Sequence, residues 1–367
     1  METGSDRPIL VVGCARSGTT LLQMMLNAHP AVAMPAETRF VLGLHRGRVR
    51  FGDLRSSENL DRARAFILRP ESLLASTDIN MQEVGSALQA SPRTVGSLSG
   101  SVFAAYAAQQ GKRRWGDKRP SYIRHVPTLL ELFPDAQIVH IIRDGRDCVA
   151  SLTNMPWWSD GAIGATHKWR EAMIEAARLR STLPTASYYE IRYESLTASP
   201  ETELAKLCGY LGEQPSTAMF DFHESGTVAP WRTWHEATKR PVNSEAAHRW
   251  QTDLPAPHLA LVEQVCGRQL EAAGYELSGH RLAVAADVMD EWRDYKKQRR
   301  KALKRRTRRE RGRSEEYPHP LAAALTTGQR QAARASGWFD DYAAPQPPTT
   351  RRSRLLTALP KPGRRKE

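Results

Sequence analysis

Cysteine is scarce in this 367-residue chain. The four present, Cys14, Cys148, Cys208 and Cys266, lie far apart and form no C-x-x-C pair, which argues against a zinc site and a disulfide framework. No stretch approaches the ~20 apolar residues of a membrane span. The few apolar residues after Arg7 are too short a run for a secretory signal. A soluble, cytoplasmic protein is the expectation. His29, His125, His140, His167, His223, His235 and His248 show no metal-ligand spacing, and no acidic metal pair is visible, so no metal is expected. Apolar residues make up 40% and charged residues 25%, as in an ordinary globular core with a solvated surface.

Acidic residues are also scarce at one end. The net charge of +13 looks like a nucleic-acid signature until it is located. Residues 292–367 hold 22 Lys and Arg against 7 Asp and Glu, whereas residues 1–291 hold 31 against 33. The body is near neutral and the positive field belongs to the tail. A domain over 1–285 and a basic, partly helical to disordered tail over 286–367 are expected. Runs such as Lys296-Lys297-Gln298-Arg299-Arg300-Lys301 self-repel. The tail is either a solvated arm without a specific partner or a site for an anionic one, a membrane surface or a nucleic acid.

The body is organised around Ile9 to Leu26. Ile9 to Val12 form a short apolar run, a buried strand, and Leu21, Leu22, Met25 and Leu26 repeat with helical spacing. Gly13 and Gly18 bound the turn between them. A strand, a glycine-bounded turn and a helix start present unpaired N–H groups and a positive dipole end to an anion. The nucleotide-hydrolase pattern is G-x-x-x-x-G-K-[ST]. Here Thr19 stands where the lysine belongs, Thr20 keeps the hydroxyl, and a cation sits inside the loop at Arg16. Nucleotide hydrolysis is disfavoured and a bound phosphate or sulfate favoured, with an ordinary βα turn as the alternative.

A second turn of this kind follows Gln137 to Ile142, a strand rich in β-branched residues. It reads Arg143-Asp144-Gly145-Arg146-Asp147, and its helix carries Ser151. In open α/β sheets ligands bind at the strands' C-terminal edge, so Arg143 can face the crevice of Arg16. The alternative is an Arg143 paired to a neighbouring aspartate on the surface. Between the two turns, Glu37 and Arg39 follow a short Ala31 to Met34 segment, and Lys118 stands in Trp115-Gly116-Asp117-Lys118-Arg119-Pro120. Glu37 and Arg39 would lie at the mouth of the anion loop if that segment runs parallel to the first strand, and otherwise in an exposed loop. Residues 46–110 read as a mostly helical insertion, with helices near Asn80–Ala90 and Ser97–Gln109. Trp157 to Arg180 predicts an amphipathic helix with Trp169, Met173, Ile174 and Ala177 on its core stripe. Ala186 to Tyr193 predicts a third strand, Ser199-Pro200-Glu201 a capped helix start, and Ala256 to Ala273 a closing helix. Residues 225–243 form a Trp-, Pro- and His-rich loop. The alternation implies an α/β fold, a P-loop-like three-layer sandwich with a mostly parallel central sheet.

Together these pieces resemble the sulfotransferases that use 3′-phosphoadenosine 5′-phosphosulfate (PAPS). Arg16-Ser17-Gly18-Thr19-Thr20-Leu21 is similar to their 5′-phosphosulfate loop, and Ile142-Arg143-Asp144-Gly145-Arg146 with Ser151 to their 3′-phosphate element. The resemblance runs from about residue 8 to about residue 275 and excludes the tail. It is nearest to the tyrosylprotein sulfotransferase branch, through Ala28-His29-Pro30 and Glu37-Thr38-Arg39. That resemblance implies Glu37 as general base, Arg39 at the acceptor, and Lys118 stabilising the departing oxygen. It implies donor contacts from Arg16, Ser17, Gly18, Thr19, Thr20, Arg143, Ser151, Tyr193 and Arg249. Met155 and Gly43 depart from it, each standing where the branch has a further cation. The implied acceptor is a hydroxyl on a phenol, tyrosine, sugar or small-molecule alcohol, and a homodimer is admissible. A phosphoryl-transfer enzyme and a binding protein acting through the basic tail remain as rivals.

Overall fold

The computed structural model describes residues 5–72, 74, 77–223, 240–279 and 283–314. The first strand, β1 (Ile9–Gly13), is buried along its whole length. Its successive side chains alternate between two apolar clusters, Leu10 and Val12 entering one, Ile9 and Val11 the other. A strand covered on both faces has no polar side to show, which is why it reads as a continuous apolar run.

The chain continues through α1 (Thr19–Ala28), β2 (Val32–Ala33), α2 (Val41–Phe51), α3 (Ser57–Leu68), α4 (Met81–Ala90), α5 (Val95–Gln109), β3 (Arg114–Lys118) and α6 (Val126–Leu132). Then follow β4 (Gln137–Ile142), α7 (Gly145–Thr153), α8 (Gly161–Thr182), β5 (Tyr188–Arg192), α9 (Tyr193–Ala198), α10 (Pro200–Leu211), α11 (Trp250–Asp253), α12 (Ala256–Ala272) and α13 (Ala286–Ser314). The strands form one sheet in the order β2-β3-β1-β4-β5, and every pairing is parallel. With a packed cluster on each face this is the expected three-layer α/β sandwich. The strand order switches at β1, with β3 and β2 on one side and β4 and β5 on the other. Register sets Val11 beside Lys118 and Gly13 beside Ile141. The C-terminal ends of β1, β3 and β4 therefore open onto one crevice.

Several local expectations needed correction. Arg114 to Lys118 is a strand, although its residues carry no apolar run. Arg114 is wholly buried, and its guanidinium is satisfied by the carbonyls of Arg7 and Leu211, the Glu213 carboxylate and the Gln137 amide. The insertion holds a third helix, α3, whose Leu60, Ala63 and Ile67 are buried beneath an Arg-rich outer face. Its two expected helices are present, capped by Asn80 and Thr94. Along α8 the buried stripe is Trp169, Ala172, Met173, Ala176 and Leu179, while Ile174 and Ala177 face solvent. Ser199 precedes α10 without a side-chain cap.

The basic segment opens as α13, tied to the body by Trp292, which is buried with Ile163 and Leu261. Tyr295 adds a 2.9 Å hydrogen bond to Asp160. Residues 315–367 of the expected tail, and 225–239 of the Trp- and His-rich loop, lie outside the described residues. Among the described residues no helix is long and apolar enough to cross a membrane.

Candidate active site

The turn after β1 is built from close contacts that demand its glycines. A Cβ at Gly13 would meet Ser17 Oγ at 2.7 Å and the Ile141 carbonyl at 2.8 Å. Gly18 has φ 95°, and a Cβ there would lie 2.4 Å from the Tyr193 ring. Arg16 itself takes φ 73°, a conformation that costs a non-glycine residue energy. Gly18 offers no side-chain cap to α1, so the first N–H groups of that helix remain for an anion.

Two cations meet above this turn. Arg16 Nε donates to Ser151 Oγ at 3.0 Å, joining the loop to α7. Arg143 Nη1 donates to the Arg16 carbonyl at 3.0 Å, and Nη2 to the Ala246 carbonyl. Its guanidinium stands 4.6 Å over the Tyr193 ring and 3.7 Å from Asp147. Burial, then the neighbouring Arg143, push the Arg16 pKa down. Two cations held this close and away from water are unfavourable alone and favourable around an anion. Arg143 Nε is buried with no hydrogen-bond partner.

On the other side of β1, the side chain of Lys118 is 2% exposed. Its Nζ stands 3.3 Å from Glu37 Oε2 and 3.3 Å from Thr20 Oγ1. One ammonium thus touches the first turn of α1 and the segment that leaves β2. Arg39 lies at the exposed rim, its N–H bound to the Ser72 carbonyl at 3.0 Å. Arg249 is exposed and pairs with Asp253 at 2.7 Å.

A cavity of about 820 Å³ collects these groups. Arg16, Gly18, Thr19, Thr20, Glu37, Arg39, Lys118, Arg143, Ser151, Tyr193 and Arg249 all line it. Ser17 does not. Its hydroxyl turns inward to the Cys14 carbonyl at 2.8 Å and closes the turn, so its side chain is structural. Among the described residues no group of three or more potential metal ligands occurs.

Sequence reasoning missed Asp147. Its carboxylate accepts the N–H groups of His248 at 2.9 Å and Trp250 at 2.7 Å, pinning the Ala246 to Trp250 segment across the cavity. Arg146 braces the same segment, paired with Asp144 and Glu263 and stacked 3.8 Å from the Trp250 ring. The doubled aspartates of Asp144-Gly145-Arg146-Asp147 were the available signal. Lys168, on α8, and Arg119 and Trp157, in connecting segments, also line the cavity.

The sulfotransferase family model matches residues 8–216. The chain belongs to that family. It is 23% identical over 259 residues to a protein-tyrosine sulfotransferase of Drosophila melanogaster, covering 67% of this chain and 47% of that protein. A protein-tyrosine sulfotransferase 1 of Danio rerio is 26% identical, with 68% of this chain and 67% of that one covered. These relatives support the tyrosylprotein sulfotransferase-like branch. The nodulation protein NoeE of Sinorhizobium fredii is 23% identical, with 73% and 66% covered. This chain thus spans about half the length of the Drosophila protein. Among solved structures, the sulfotransferase domain of the Synechococcus PCC 7002 olefin synthase aligns with a TM-score of 0.54 at 20% identity, over 75% of this chain and 97% of that one. The sulfotransferase domain from the curacin biosynthetic pathway aligns at 0.52 and 19%, over 75% and 99%. Both share the fold.

Proposed function

We propose that this protein transfers the sulfuryl group of PAPS to an acceptor hydroxyl by in-line displacement. The observation that carries the reading is the convergence of Arg16, Arg143, Lys118 and Glu37 on one cavity at the sheet's switch point. The residues fit the donor. The unpartnered, buried Nε of Arg143 calls for an acceptor atom, and Ser151 with Arg143 would hold the 3′-phosphate. Arg16 and the first N–H groups of α1 would hold the 5′-phosphosulfate. Tyr193 and Arg249 line the same cavity and would contact the donor. The donor supplies an activated sulfuryl group on a phosphate leaving group.

Glu37 takes the proton of the acceptor hydroxyl, a role open to a carboxylate within hydrogen-bond reach. Lys118 pairs with that carboxylate and, with Arg16 and the loop N–H groups, neutralises charge developing on the transferred and departing oxygens. Preorganised donors of this sort are typically worth ~3–4 kcal/mol each. No lysine stands at the hydrolase position, where Thr19 is buried instead. Arg39, Arg119 and Lys168 line the cavity and make no ion pair among the described residues, which suits an acceptor carrying an anionic group. The basic face of α13, exposed at Lys297, Arg299, Arg300 and Lys301, suits an anionic partner.

Calorimetric titration with adenosine 3′,5′-bisphosphate, compared with magnesium-ATP, tests the donor. Bisphosphate binding that weakens in Arg16→Ala and Arg143→Ala is the expected result. A preference for magnesium-ATP would favour phosphoryl transfer. A panel of phenols, sugars and alcohols, followed by mass shift, then finds the acceptor.

A further inference from the structure

One buried pair of ionisable groups adjoins Lys118 without lining the cavity. Asp117 and Tyr122 are each 1% exposed. The Tyr122 hydroxyl donates to Asp117 Oδ2 at 2.6 Å, and Asp117 Oδ1 accepts the peptide N–H of Lys118 at 2.9 Å. The sheet explains why that N–H needs the carboxylate. β2 ends at Ala33, opposite Trp115, so the last residues of β3 have no strand beyond them on that side. The Arg119 N–H turns the other way and bonds the Val11 carbonyl at 3.2 Å. Lys118 thus points its N–H to the side that β2 has left, and a buried N–H without an acceptor is costly.

We propose that Asp117, held by Tyr122, is a positioning residue for sulfuryl transfer. It fixes the Lys118 main chain at the end of β3, and so aims the ammonium at Glu37 and Thr20, its ionised oxygen holding the Lys118 N–H more strongly than a neutral amide oxygen would. The proposal rests on the reaction assigned above. The charge is retained at a cost. Burial raises the Asp117 pKa to about 6, against the pull of the Tyr122 hydroxyl and Arg119, with Glu37 adding repulsion and the Lys118 N–H opposing it. An acid whose pKa is higher folded than unfolded gives stability at low pH that is lost as pH rises towards 6.

The test is Asp117→Asn, which keeps an oxygen for the Lys118 N–H and removes the charge, with Tyr122→Phe as a second variant. For Asp117→Asn the turnover rate with a phenol acceptor falls about tenfold, while acceptor KM and bisphosphate affinity stay within about twofold. The melting temperature of Asp117→Asn rises relative to the parent at about pH 7.5 and by less at about pH 4.5. Tyr122→Phe shifts the acid limb of the rate profile upward, because the carboxylate loses the donor that favours its charged form. Unchanged turnover in Asp117→Asn overturns the proposal. So does a loss of turnover, bisphosphate affinity and melting temperature together, which marks a structural residue only. If the parent protein binds no bisphosphate, the assigned reaction fails and the positioning role falls with it, whatever the melting temperatures show.

Discussion

Lys118 Nζ stands 3.3 Å from Glu37 Oε2, and the pair joins two segments 81 positions apart in the chain. The carboxylate is 21% exposed and faces the cavity, while the ammonium behind it is nearly enclosed. On the proposed reaction, this pair would set the base towards the acceptor and the cation towards the donor, so that proton removal and charge neutralisation occur in one step.

Glu37→Gln keeps the shape of that side chain and removes its basicity. Turnover falls by 10²-fold or more, in the range typical of general-base loss, while bisphosphate affinity in calorimetry stays nearly unchanged. Full activity in this variant would exclude Glu37 as the base. His29 is a poor substitute, since its ring is engaged by the Gln214 carbonyl at 2.8 Å and the Ala31 N–H at 3.1 Å.

Arg143→Ala acts on the donor. It deletes the unpartnered Nε and the contacts to the Arg16 and Ala246 carbonyls. Charge-assisted hydrogen bonds contribute about 1.5–3 kcal/mol each, so bisphosphate Kd rises about 10- to 100-fold. An unchanged Kd would place the 3′-phosphate elsewhere.

Gly18→Ala strains the loop from two directions, through φ 95° and through a clash with the Tyr193 ring. The expected result is weaker bisphosphate binding and a lower melting temperature. Adding Tyr193→Leu relieves the ring clash and restores part of the loss. Complete tolerance of the single variant would contradict the loop geometry.

His45 sits in α2, where burial, then Arg48 and Arg46, lower its pKa to about 4. The unfolded chain takes up the proton first as pH falls, so this group's contribution to stability is present above about pH 6.5 and is lost as pH drops towards 4. The melting temperature therefore falls over that window, and His45→Gln flattens the slope. An equal slope in the variant would assign the acid sensitivity to other groups.

Local chemistry made both strand-to-helix turns legible in the sequence. Gly13 and Gly18 mark backbone positions that admit no Cβ, and β1 and β4 are covered on both faces, so their residues announce buried strands directly. The helical stripes of α10 and α12 show for the same reason. What local chemistry could not show is β3, because its burial is met by polar partners. Arg114 is paired with Glu213 and bonded by carbonyls distant in sequence, and Asp117 is hydrogen-bonded by a tyrosine in the next segment. Helix α3 was hidden by an arginine-rich outer face over a narrow apolar stripe.

The sequence alone carried the fold class and the two strand-to-helix turns, since those depend on backbone freedom and periodicity within one segment, whereas Glu37 as candidate base and Lys118 as a site cation came from the resemblance to the sulfotransferases. Only the tertiary structure decided that Glu37 meets Lys118, that Arg16 and Arg143 share one cavity, and that Ser17 does not face it. Those facts depend on strand order. Placing β1 between β3 and β4 brings three strand ends to one edge, and no local pattern encodes which ends become neighbours.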